Sequence, residues 1–77
     1  MAEMKSEGHA QCGDYDAFMW SIETNVGTIY YVEHEDERHE LKQDYIGIAD
    51  KDKAVKAFRK AYKRICEIVA EELMKDA

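Results

Sequence analysis

The 77-residue sequence has no proline, four scattered glycines, two cysteines and one tryptophan. Without proline or a glycine repeat it is neither collagen-like nor mucin-like, and a hydrophobic content of 45% excludes a wholly disordered chain. No apolar run approaches the roughly 20 residues needed to cross a bilayer, and residues 1–7 lack the apolar centre of a signal peptide. The expectation is therefore a cytoplasmic protein with no membrane partner. Cys12 and Cys66 have neither a CxxC spacing nor the density of a disulfide scaffold, so both are expected to be reduced. The scattered glycines provide no phosphate-cradling loop. At this length one domain is allowed, burying roughly 60% of its unfolded surface.

What is abundant is charge, at 36% of residues and a net charge of -6. It is segregated along the chain. Residues 1–50 carry twelve acids and three bases, residues 51–64 seven bases and one acid, and residues 65–77 four acids and one base. Two electrostatic surfaces follow, each a candidate for contact with a partner.

Residues 1–14 mix charge, glycine and serine without a period and are expected to form a flexible N-terminal arm ahead of a single domain, 15–77. From Ala17 to Thr24 the chain alternates, with Phe18, Trp20 and Ile22 on one side and Met19, Ser21 and Glu23 on the other, the period of a half-buried strand. Thr24, Asn25, Val26 and Gly27 supply a hairpin turn, and Thr28 to His34 should pair back antiparallel. A third strand is expected within Arg38 to Ile48. Asp50 or Asp52 can cap a helix in which Val55, Phe58, Tyr62, Ile65, Val69 and Leu73 recur every three or four residues, flanked by Ala57, Ala61 and Ile68. The predicted fold is α+β: a three-stranded antiparallel meander packed against one long C-terminal helix across its Phe18, Trp20 and Ile22 face.

A helix over 52–75 would be about 36 Å long, against about 20 Å for a six-residue strand. On that comparison Ile65, Ile68, Val69 and Leu73 outrun the sheet and are candidates for a homodimer seam. Met19, Ile29 and Tyr31 are expected on the outer sheet face as a second partner surface.

Chemical constellations are sparse. His9 and Cys12, spaced HxxC, and His34 and His39 offer zinc-compatible atoms, but a flexible arm and a solvated acidic turn hold no tetrahedron, so no metal or cofactor is assigned. The carboxylates cluster on a turn with no apolar pocket to shift a pKa, so no catalytic residue is assigned and no enzyme is expected. Glu33, Glu35, Asp36, Glu37, Glu40 and Asp44 instead form an acidic rim suited to a cationic groove on another protein. Phage-encoded inhibitors, anti-CRISPR proteins among them, include many such small acidic chains that block nucleic-acid-handling enzymes, and a non-enzymatic protein-binding module of that type is the leading expectation. The alternative is a nucleic-acid-binding module that uses Lys56, Arg59, Lys60 and Lys63, basic residues set against the helix dipole.

Overall fold

A computed structural model describes residues 3–46 and 50–75, without the side chains of 44–46. Four strands, β1 (Met4–Cys12), β2 (Tyr15–Thr24), β3 (Gly27–Glu35) and β4 (Leu41–Ile46), precede one helix, α1 (Lys51–Lys75). The strands form an antiparallel meander in the order β1-β2-β3-β4 with α1 across one face, an α+β fold. The class is the one the sequence predicts. The sheet is larger, because the segment expected as an arm supplies β1. The expected extension of the last strand to Ile48 lies outside the described residues.

Tight turns fix the register. Cys12 pairs with Tyr15 across a two-residue loop whose first member, Gly13, has φ +58°, the glycine position of a type II′ hairpin. Thr24 pairs with Gly27 across Asn25 and Val26, where the Thr24 hydroxyl donates to the Gly27 carbonyl at 2.7 Å. Asp36 organises the third turn: its Oδ1 accepts from the amides of Arg38 (2.9 Å) and Glu40 (3.0 Å), while His39 takes a left-handed φ of 61°. Asp50 caps α1, accepting from the Lys53 amide at 3.2 Å.

The core joins Tyr15, Ala17, Met19 and Val32 of the sheet to Ala54, Ala61, Ile65 and Ile68 of the helix. Two expectations are overturned here. The helix covers the Tyr15, Ala17 and Met19 face of β2 and not the Phe18, Trp20 and Ile22 face, so Met19 is a core residue and not an outer one. The reason is steric: Ala17 on β2, Gly8 on β1 and Ala54 and Ala61 on α1 let the two layers approach closely. A Cβ placed on Gly8 would stand 3.2 Å from Phe58 Cε2.

The second correction concerns Ile65 and Ile68, which are fully buried by the chain's own sheet and leave nothing for a second copy to cover. Strands of nine and ten residues span about 30 Å, half again the length assumed for a six-residue strand. Val69 is half-buried beneath Gly13, and only Leu73, with Met74, projects beyond the sheet, exposed by 68% and 78%.

Candidate protein-binding face

Directly paired residues of antiparallel strands share a face, so the register assembles the outer surface row by row. Met4, Ile22 and Ile29 form one row, Ser6, Trp20 and Tyr31 the next, then His9, Phe18 and Glu33. A one-residue irregularity between Ser6 and Gly8 sits at Glu7 and shifts the outward positions of β1 from Met4 and Ser6 to His9 and Gln11. Phe18, Trp20, Ile22, Ile29 and Tyr31 are each half-buried by one another, and among the described residues no element packs over them.

The rings are ordered. His9 stacks on Phe18 with centroids 4.9 Å apart and planes 11° apart, and Phe18 stacks on Trp20 at 5.9 Å and 24°. Carboxylates hold this row in place. His9 Nε2 lies 2.7 Å from Asp16 Oδ1, and Glu33 accepts from Trp20 Nε1 at 3.2 Å and from Gln43 Nε2 at 2.6 Å. Glu35 accepts from the Asp16 amide at 3.0 Å and lies 2.9 Å from His39 Nδ1. The described outer positions of the sheet thus include Asp16, Glu33 and Glu35 but no lysine or arginine.

The acidic rim read from the sequence divides into separate roles. Glu33 and Glu35 belong to the outer face beside the rings. Asp36 is turned inward, only 9% exposed, and the Arg38 amide, the Glu40 amide and nearby Lys42 and Arg38 hold its carboxyl below the usual value against the opposing effect of burial. Glu37 and Glu40 are exposed at the turn, and Glu37 lies 3.8 Å from Arg64. Asp44 pairs in register with Val32, and its side chain lies outside the described residues.

On the opposite side of the molecule, Lys56, Arg59, Lys60 and Lys63 follow one another at i, i+3, i+4 and i+7 and are all exposed. Arg64, next in the series, is spent on Glu37, Glu67 and Glu71 at 3.8, 3.5 and 3.9 Å. The histidines and cysteine considered for zinc do not converge. His9 and Cys12 occupy opposite faces of β1, His34 Nδ1 lies against the Glu35 carbonyl, and His39 stacks on Tyr15 at 4.4 Å.

Three features escaped the sequence reading: Phe18, Trp20 and Ile22 as outer residues, the Tyr15 hydroxyl donating to Glu72, and the proximity of Cys12 to Cys66. Alternation of Gly8, Ala10 and Cys12 with His9 and Gln11 was the available signal that residues 4–12 are a strand. No protein-family model, no curated protein and no solved structure matches the chain. No described helix is long and apolar enough to cross a membrane.

Proposed function

We propose that the chain is a cytoplasmic protein-binding module that acts by stoichiometric contact without catalysis, and that its working surface is the outer face of the sheet. The observation that supports this is the choice of face: the fold turns Phe18, Trp20, Ile22, Ile29 and Tyr31 away from its only described helix. Each large apolar side chain left half-buried there forgoes part of the about 1.5–3 kcal/mol that full burial contributes. A contiguous patch of this kind on a small protein is the composition of a contact surface.

The chemistry of the patch favours a cationic partner. Aromatic rings edged by Asp16, Glu33 and Glu35 receive arginine or lysine side chains by stacking and by charge at once. A row of planar rings flanked by carboxylates offers a basic groove the two elements of a nucleic acid strand, stacked planes and negative charge. An inhibitor of a nucleic-acid-handling enzyme, of the phage-encoded type, is the concrete form of this reading.

Isothermal titration with an arginine-rich peptide at low salt tests it. The expected result is saturable binding that falls about tenfold or more in a Glu33→Lys, Glu35→Lys double variant, with a glutamate-rich peptide silent. Equal affinity in the variant would exclude this face. The second reading, nucleic-acid binding through Lys56, Arg59, Lys60 and Lys63, is favoured by their exposure and by the absence of any ion pair to them among the described residues. Saturable, salt-sensitive anisotropy changes with labelled DNA or RNA, lost on replacing the four with glutamine, would select it.

A further inference from the structure

β1 is an edge strand with one hydrogen-bonded neighbour, and it runs alongside α1 in the same direction. Two contacts bracket the alignment: Gly8 lies against Phe58, and Gly13 lies against Val69, where an added Cβ would stand 3.0 Å from Val69 Cγ2. From Gly8 to Cys12 the strand advances about 13 Å. From Phe58 to Cys66 the helix advances about 12 Å. Cys12 therefore comes level with Cys66, and it shares with Gly8 the face of β1 that meets the helix. Both thiols are free and half-buried, and Cys12 packs on the core cluster.

The local chemistry agrees with this placement. The Cys12 thiol is held above its ordinary pKa first by its hydrogen bond with Cys66 and then by burial. The Tyr62 phenol, one turn before Cys66, is raised by its own hydrogen bond to the Cys66 sulfur. Side chains 54 positions apart in sequence thus form one contact, a thiol pair in a chain with no other cysteine.

We propose that Cys12 and Cys66 are the site of a reversible intramolecular disulfide that fastens the edge strand to the helix. The oxidant is a low-molecular-weight disulfide such as oxidised glutathione. One protein thiolate attacks a glutathione sulfur, breaking the S–S bond, forming a mixed disulfide and releasing one glutathione thiolate. The second cysteine then attacks the protein sulfur of that mixed disulfide and expels the other glutathione. The protein loses two electrons, glutathione disulfide gains them, and the two cysteine protons end on the two released thiols. Because the Cys12 thiol is held protonated, its attack is slow near neutral pH and quickens as pH rises. The bond would also hold His9, three residues before Cys12 on β1, in the ring row of the outer face.

The test compares the full-length protein, folded and in concentrated urea, in glutathione redox buffers, with the Cys12–Cys66 bond quantified by mass after alkylation and by peptide mapping. The folded protein is expected to form the bond at glutathione ratios about a hundredfold more reducing than the unfolded chain, because the fold supplies the loop closure that urea leaves to chance. In an Ala10→Cys, Cys12→Ser variant, which moves the thiol one step along the same face, that advantage should fall toward unity. Equal ratios for the folded and unfolded wild-type chain would overturn the proposal. So would products consisting of glutathione adducts or disulfide-linked dimers.

Discussion

Tyr15 ties the sheet to the end of the helix through one phenol. Its ring is buried and stacked on His39, and its hydroxyl donates to Glu72, an interaction that pushes its pKa up to about 12. A raised value in the folded state means that the contribution is complete below the unfolded tyrosine pKa of about 10 and is lost as pH rises from there toward about 12. The urea midpoint of the wild-type protein should fall through that window, and Tyr15→Phe should flatten the fall. Asp36 has the opposite sign. Amides of the turn it closes lower its pKa, so its contribution is present above the ordinary carboxylate value of 3.8 and disappears as pH drops through the lower folded value. Asp36→Asn keeps an oxygen for the amides and removes the charge, and its unfolding midpoint should lose that part of the acid dependence. Neither role was legible in the sequence, because Asp36 sits in a run of acids and only the turn's geometry sets it apart from Glu35 and Glu37.

At the scale of elements, the second hairpin and the helix were legible. Alternation in residues 17–24, the Asn25 to Gly27 turn and the capped, uninterrupted period after Asp50 each carry a local physical signal. What the sequence left undetermined was which side of β2 faces in. Both sides are apolar, Tyr15, Ala17 and Met19 against Phe18, Trp20 and Ile22, and the decision lies in the partner layer, where Ala54, Ala61, Ile65 and Ile68 pack with Tyr15, Ala17 and Met19. Two substitutions check the outcome. Ile65→Ala should cost about 2–5 kcal/mol in urea unfolding, as for a core cavity, whereas Phe18→Ala should cost about 1 kcal/mol, well under the roughly 3–5 typical of a buried phenylalanine. The β1 segment carries a weak strand signal because its inner positions, Gly8, Ala10 and Cys12, are small and its outer ones beyond Met4, namely Ser6, His9 and Gln11, are polar. Deleting residues 1–14 should then unfold or aggregate the protein by exposing the edge of β2, where loss of a flexible arm would leave the melting curve unchanged.

The whole molecule measures 52 × 22 × 15 Å and has two unlike broad surfaces. One side of α1 carries exposed Lys56, Arg59, Lys60 and Lys63, and the outer sheet face carries stacked rings with Asp16, Glu33 and Glu35. One described helix can cover only one face of the sheet, and Phe18, Trp20, Ile22, Ile29 and Tyr31 are left on the open face. On the proposed reading the outer residues form a contact surface, with the acids selecting a basic partner. Trp20 lies at the centre of the face and is the only tryptophan in the chain, so its emission reports on that face alone. The most direct measurement is Trp20 fluorescence during titration with an arginine-rich peptide at low and moderate salt. The account predicts a saturable change that weakens with salt and is abolished by Glu33→Lys with Glu35→Lys. Emission that stays constant while the peptide binds, or that changes equally in the charge-reversed variant, would contradict it.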